Sequence, residues 1–375
     1  MDINTNILKL NFKHFICSCH QYSNNDMQFG LIPIFAAMIT DLRSDTFTKP
    51  GQAMLDAMFR APVGDDVFGE DPTVNKLEAI SSEMFGMEAA LFCASGTMTN
   101  QVGIKCHTNP GDEVICDKLS HVYIYEGGGI AFNSGCQVKP IDGDRGRITA
   151  QQVETAINPD DVHKARTSLV SLENTANRGG GSCYNIAEFQ LIKEVCLKNS
   201  LGLHLDGARL WNAMVAMNET PKQYGEIFDS ISICLSKGLG APVGSLLLGK
   251  KEFIRQARRV RKVFGGGMRQ AGYLAAAGIY SLENNIELLK EDHLHAKMIA
   301  AELEKKDFIG KIMPMETNII IFEVKGVLDP KRFCEILGRD DIRCLAISDT
   351  QVRMVTHLDI TKEMVIKLIN LIKAL

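Results

Sequence analysis

The spacing of hydrophobic positions changes repeatedly along the chain, and each change marks an element. Gln52 to Phe59 repeats apolar residues at helical spacing, and Pro72 to Phe85 does so again, with Asp71 placed to cap a helix that opens on a proline. Ala89 to Cys93 is a short apolar strand, after which Ala94-Ser95-Gly96-Thr97 opens a helix running through Ile104. Val114 to Cys116 and Gln137 to Ile141 read as strands, Gln151 to Ala156 as a helix, and Ser168 to Glu173 as a strand. An amphipathic helix over Ala187 to Asn199 precedes strands at Gly202 to Asp206 and Ser230 to Leu235, then a short apolar run from Leu246 to Leu248. Helices follow at Lys251 to Phe264 and Gln270 to Leu282. Strands separated by helices predict an α/β fold, with a mostly parallel sheet covered on both faces.

Beyond about Glu283 the texture changes to a long helix, strands at Thr317 to Val324 and Val352 to Thr356, and a closing helix from Lys362. This predicts a large domain over residues 39–282 and a smaller α+β domain over 283–375. Residues 1–38 show no clear period. Their apolar end, Phe29 to Ile39, is interrupted by Pro33 and falls short of the roughly 20 residues that span a bilayer. The flanking charges suit neither a signal nor a transit peptide, so a disordered or optional extension is expected.

Composition narrows the partners. The 375 residues are 45% hydrophobic and 23% charged, with a net charge of −4, which supplies no electrostatic case for nucleic acid or an anionic membrane. Of the 11 cysteines, Cys93, Cys116, Cys196 and Cys234 sit in apolar segments as small core residues. The tight pair in Cys17-Ser18-Cys19 lacks further ligand-like spacing, so neither a metal site nor a disulfide framework is expected, and a reducing, cytoplasmic setting is the simpler reading.

Candidate chemistry centres on Ser230-Ile231-Ser232-Ile233-Cys234-Leu235-Ser236-Lys237. A lysine at the mouth of a buried strand must pay for desolvation, and one resolution is a Schiff base with an aldehyde. Asp206, in Leu203-His204-Leu205-Asp206-Gly207-Ala208-Arg209, stands at another strand end, where open α/β sheets place their sites. It could cap a helix or face a protonated ring nitrogen. Ser95-Gly96-Thr97, where a strand gives way to a helix, is equally an anion site for phosphate or a simple N-cap. Together, a phosphate turn, a strand-end aspartate and a strand-end lysine match the three handles of pyridoxal phosphate.

His121 precedes Gly127-Gly128-Gly129 and could stack on a planar cofactor, act as an acid or base, or cap a turn. His163 lies just before a strand and is as readily a surface residue. The basic run Arg255 to Lys262 reads as a solvated helix face, with only Lys262 and Arg269, flanking Gly265-Gly266-Gly267, placed to reach an anion. Gly238, Gly240 and Gly244 have the wrong spacing for a dinucleotide loop, and Pro242 sits where its helix would begin.

The chain resembles the low-specificity L-threonine aldolases, pyridoxal-phosphate enzymes of the aspartate-aminotransferase fold (fold type I). The resemblance runs from about Asp41 to the C-terminus. It rests on Asp41-Leu42-Arg43-Ser44-Asp45-Thr46, Pro62-Val63-Gly64-Asp65-Asp66-Val67, Gly69-Glu70-Asp71-Pro72-Thr73 and Ser171-Leu172-Glu173-Asn174-Thr175. It continues through Asp206-Gly207-Ala208-Arg209, Leu235 to Gly244, Gly265-Gly266-Gly267-Met268-Arg269-Gln270 and Val355-Thr356-His357-Leu358-Asp359.

The resemblance implies retro-aldol cleavage of L-threonine, L-allo-threonine and related β-hydroxy amino acids to glycine and an aldehyde. Other activities of the same scaffold, β-elimination or transamination, and a non-catalytic cofactor-binding homologue are the alternatives. By the same resemblance Lys237 would hold pyridoxal phosphate, Asp206 would pair with its ring nitrogen and His121 would stack on the ring. Gly96 and Thr97 would bind its phosphate, helped by Lys262 and Arg269 of a neighbouring subunit in a homo-oligomer, a dimer or a dimer of dimers with shared sites. Ser44, Arg209 and Arg353 would grip the substrate carboxylate, Tyr125 and Glu126 would line the pocket, and His121 or His163 would handle the β-hydroxyl proton. Ala176 stands where many members carry histidine, and Arg178-Gly179-Gly180-Gly181 replaces the more usual loop.

Overall fold

A computed structural model describes residues 39–375; the expected N-terminal extension, with Cys17 and Cys19, lies outside the described residues. Seven strands form the main sheet in the order Ala89–Cys93, Ser245–Gly249, Ser230–Cys234, Gly202–Gly207, Thr167–Glu173, Glu113–Asp117, Gln137–Ile141. All neighbours run parallel except Ser245–Gly249, which is antiparallel to both of its partners. The strands predicted from apolar runs are present, and Leu246 to Leu248 proves to be the antiparallel one.

Burial on both faces explains why Ala89–Cys93 and Ser245–Gly249 read as nearly continuous apolar runs, while Ser230–Cys234 and Gly202–Gly207 alternate yet bury their polar residues as well. Every residue of Ser230–Cys234 and Ser245–Gly249 is buried. Ile231, Ile233, Leu246 and Leu248 join Leu203, Leu205 and Val170 in the main core, each such side chain adding about 1.5–3 kcal/mol by leaving water. The helices begin where the residues allow. Asp71 accepts the amides of Thr73 and Val74 at 3.1 and 3.0 Å, Pro72 takes the first helical position, and Gly86 closes Pro72–Phe85 at φ 63°. Asn185 and Glu188 form a reciprocal box at the start of Ile186–Lys198.

A second, antiparallel sheet runs Leu345–Ala346, Gln351–Val355, Ile319–Val324, Ile309–Ile312 and carries its own core around Phe322, Phe333 and Met354. The first described strand, Thr40–Asp41, pairs in parallel with Ile342–Arg343, and Leu42 is buried in that second core. Ser44 and Asp45 are thereby tied to the C-terminal part of the chain.

The basic run is not simply a solvated face. Arg261, on Lys251–Val263, is 2% exposed, donates to the Phe92 carbonyl at 2.5 Å and pairs with Asp66 at 2.6 Å. Arg258 bridges Asp66 and Glu78. These arginines pin the helix to the sheet, because a buried guanidinium demands a partnered carboxylate.

Candidate active site

The carboxyl ends of the main-sheet strands meet at one edge, and the polar residues of the core gather there. A cavity of about 200 Å³ is walled by Lys237, Asp206, His121, Ser95, Gly96 and Thr97. Larger clefts of about 510 and 520 Å³ lie elsewhere; size does not select the site, the convergence of strand ends does.

Lys237 sits in the turn beyond Ser230–Cys234, closed by the Gly240 amide on the Lys237 carbonyl at 2.8 Å. Its ammonium reaches Cys234 Sγ at 3.6 Å and pairs with no carboxylate among the described residues. Asp206 is 1% exposed; its carboxylate accepts the Ala208 amide at 3.1 Å and Asn100 Nδ2 at 2.9 Å. The helix Gly96–His107 begins on Ser95, whose Oγ accepts the Met98 amide at 3.2 Å, and Gly96 and Thr97, in the first turn where backbone amides lack helical partners, line the cavity. A Cβ at Gly96 would come within 2.6 Å of Cys234 Sγ, so only glycine lets the helix approach the strand this closely. Thr99 and Ser232 share a 2.6 Å hydroxyl contact that fixes that approach.

His121 is oriented twice. Its amide donates to Glu173 at 2.8 Å, and its Nδ1 lies 2.9 Å from Glu126 Oε1. Glu126 is fully engaged: Asn100 donates to one oxygen at 2.9 Å and Gln101 to the other at 2.6 Å. Burial works to lower the His121 pKa, but the Glu126 hydrogen bond and the charges of Asp206, Glu126 and Glu173 outweigh it and raise it. Glu173, paired in register with Asp206 and 4% exposed, is pushed up to about 7 by burial and by that neighbouring carboxylate.

Two arginines border this edge and differ sharply. Arg209 is buried and bidentate with Asp45, at 2.8 and 2.7 Å. Arg353 has its two terminal nitrogens on Asn177 Oδ1 at 2.9 Å and the Arg43 carbonyl at 3.1 Å, while its buried Nε is unpartnered and no carboxylate pairs with it among the described residues. Burial, aided by the Arg209 charge, brings its pKa down to about 10, so it remains a cation at neutral pH. Ser44 caps the short turn Asp45–Phe47, accepting the Thr46 amide at 3.3 Å.

Several expected positions fall elsewhere. His163 is on an exposed turn, its side chain 87% exposed and hydrogen-bonded to Asp161 at 2.9 Å. It precedes the amino end of Thr167–Glu173, whereas the cavity lies at the carboxyl end, so seven residues of strand separate it from the chemistry. Glu126 is buried behind His121 rather than on the cavity wall, and Tyr125 is 50% exposed with its ring 5.7 Å from that of His121. Lys262 is exposed, and Arg269 is 55% exposed and paired with Asp65 at 2.9 Å; neither walls this chain's own cavity.

Asn100, Glu173, Asp45 and Asn177 had not been singled out as site residues. Asn100 carried a legible signal, standing one helical turn after Gly96. Glu173 carried another, as a charge ending an apolar strand, the same logic that marks Asp206.

A mostly parallel sheet with lysine, aspartate and a helix start at its carboxyl edge, beside a smaller antiparallel sheet, is the fold type I architecture. The beta-eliminating lyase family model matches residues 41–326. The low-specificity L-threonine aldolase of Escherichia coli K12 is 44% identical over 324 residues, covering 86% of this chain and 95% of that protein. The Candida albicans low-specificity L-threonine aldolase is 40% identical, covering 87% of each chain. The structure of Leishmania major threonine aldolase superposes with a TM-score of 0.78 over 89% of this chain and 99% of that one, at 21% identity. The chain belongs to the low-specificity L-threonine aldolase family and is a lyase.

Proposed function

We propose that this chain cleaves L-threonine and L-allo-threonine, with related β-hydroxy amino acids, to glycine and an aldehyde, using pyridoxal phosphate held on Lys237. The observation that carries this reading is the meeting of Lys237, Asp206, His121 and the Gly96–Thr97 helix start around one cavity. The residues fit the group: an amine without a carboxylate partner for the aldehyde, a buried carboxylate for the ring nitrogen, and free helix amides for the phosphate. Bound there, the cofactor supplies a conjugated ring that accepts the electrons of a breaking Cα–Cβ bond.

This chain's own residues do the rest. Asp206, fixed by Asn100 and Ala208, holds negative charge against the ring nitrogen. Arg353, a half-buried cation lacking a counter-ion among the described residues, takes the substrate carboxylate; Arg209, already neutralised by Asp45, frames the clamp, and Ser44 adds a hydroxyl beside it. Because Glu126 accepts the Nδ1–H of His121, the lone pair on Nε2 is free to take the β-hydroxyl proton. With that proton removed the aldehyde departs, and Cα is protonated to give glycine. Glu126 has both oxygens occupied, and His163 stands at the wrong end of the sheet, so the base is His121.

The same proposal includes two domains, a large one over 39–282 that holds the cofactor and a small C-terminal one over 283–375, in a cytoplasmic homo-oligomer. Exposed Phe59, Phe68, Phe132 and Val263, at 81, 73, 89 and 82% exposure, support a subunit interface, through which Lys262 and Arg269 would reach a neighbour's phosphate site. No helix among the described residues is long and apolar enough to cross a membrane.

The test is borohydride reduction of the coloured protein, location of the modified residue, and assay of acetaldehyde release from both threonine isomers. Lys237 modified, aldehyde released and no ketoacid formed is the expected result. 2-Oxobutanoate or another four-carbon ketoacid as the main product would replace this reading with elimination or transamination.

A further inference from the structure

We propose that Cys334 and Cys344 are a site of reversible oxidation, closing to a disulfide under a disulfide oxidant such as glutathione disulfide and loosening the grip on the substrate carboxylate. The sulfurs lie 3.2 Å apart, with the Cys344 thiol donating to Cys334. Cys344 is 8% exposed, while Cys334 is half-buried on Pro330–Gly338 and open to a small reagent. The donated hydrogen bond lowers the pKa of Cys334, whereas burial pushes Cys93, Cys106, Cys116 and Cys196 up to about 12. Cys334 is thus the thiol poised to react and Cys344 the one poised to resolve it.

The balance is simple. The Cys334 thiolate attacks one sulfur of the oxidant and expels a glutathione thiolate; that thiolate takes the Cys344 proton, and the Cys344 thiolate attacks Cys334 Sγ and expels the second glutathione as a thiolate, which picks up the proton Cys334 had released. Two protein thiols are oxidised and one disulfide is reduced to two thiols.

The site matters because of what flanks it. Cys344 separates Ile342–Arg343, which pairs with Thr40–Asp41, from Leu345–Ala346, whose Leu345 stands opposite Arg353. Leu42 donates to the Arg343 carbonyl and accepts from Val355, both at 2.8 Å, and Arg353 donates to the Arg43 carbonyl at 3.1 Å. The link carrying Cys344 therefore holds both the segment that enters Ser44 and Asp45 and the strand that carries Arg353. A disulfide needs its sulfurs about 2.05 Å apart, so closing it brings the two sulfurs about 1 Å nearer and pulls on the helix and this link, on the scale at which positioning is lost.

Full-length holoenzyme is equilibrated across glutathione redox ratios, quenched with acid, digested with trypsin and mapped by mass. Cleavage after Arg332, Arg339, Arg343 and Arg353 places the two cysteines on separate peptides, Phe333 to Arg339 and Cys344 to Arg353. The expected result is a dithiothreitol-reversible link between them, with glycine Kd by calorimetry raised roughly threefold or more while the cofactor absorbance is unchanged. Cys334→Ser and Cys344→Ser should abolish the link and the Kd shift and keep wild-type glycine affinity when reduced. No linked peptide at any ratio overturns the oxidation site; a link without a Kd change overturns its coupling to the clamp. The clamp rests on the reading of Arg353 above, but neither readout needs turnover, so a protein that binds glycine and never releases aldehyde would defeat threonine cleavage alone.

Discussion

The carboxylate of Glu173 accepts the backbone N–H of His121 at 2.8 Å. Its second oxygen accepts the Asn177 amide at 2.9 Å, and the Asn177 side chain in turn holds Arg353 at 2.9 Å. One buried acid thus ties the proposed base to the proposed carboxylate clamp. Glutamine offers a single acceptor oxygen, so Glu173→Gln leaves one buried amide unpaired at about 1–3 kcal/mol. We expect kcat/KM to fall roughly tenfold. The acid limb of the pH profile should also move down, because a charge that raises the His121 pKa is gone. An unmoved limb would confine Glu173 to a structural role.

The wild-type profile has a defined direction. As the proposed base His121 must be neutral to take a proton, and its pKa is raised from the ordinary 6.5, so kcat/KM should climb through a limb above that value. Stability from this group runs the opposite way: it is fully present below the unfolded value and is lost as pH rises through the raised folded one. Glu126→Gln, which removes the hydrogen-bonded charge at Nδ1, should shift the limb downward. Stopped-flow aldehyde assays across pH read both effects.

Asp45 and Arg209 form a buried pair whose breaking strands a guanidinium. Asp45→Ala should destabilise the protein by about 3–5 kcal/mol in urea titrations at neutral pH. Burial opposes ionisation of Asp45, yet the Arg209 charge and hydrogen bonds hold its pKa below the ordinary carboxylate value. Its stabilising contribution is therefore present above the unfolded value and lost as pH falls through the folded one, and the deficit of Asp45→Ala should shrink in acid.

Replacing Arg353 by lysine keeps the charge and loses the planar fork. The KM for L-threonine should rise roughly tenfold or more, with the cofactor absorbance intact. A comparable loss in kcat with KM unchanged would place Arg353 in the chemical step instead.

Gly96→Ala tests the phosphate turn. The added Cβ meets Cys234 Sγ at 2.6 Å and must push the helix start away from the strand. Cofactor dissociation, followed by loss of absorbance on dialysis, should be at least about tenfold faster. Unchanged retention would remove this helix start from cofactor binding.

Much of the scaffold was legible before any coordinates. Apolar runs such as Leu246 to Leu248 declare a strand buried on both faces, and Asp71-Pro72 with Gly86 bracket a helix because caps are local chemistry. Lys237 and Asp206 stood out because an unexplained charge at the end of a buried strand is visible in one dimension. Family resemblance, not spacing, selected the reaction.

The tertiary structure alone decided which charges answer one another. Local sequence could not separate Arg209 from Arg353, since Asp45, which neutralises one and leaves the other unpaired, lies 164 positions from Arg209. It left His121 and His163 as equal candidates, because only strand direction reveals that they occupy opposite ends of the sheet. The family resemblance placed Glu126 in the pocket, and packing turns it inward, where it orients His121. The sequence by itself determined the strands, the caps and the lysine; partnering across distant segments, where burial makes every unpaired charge costly, determined the roles.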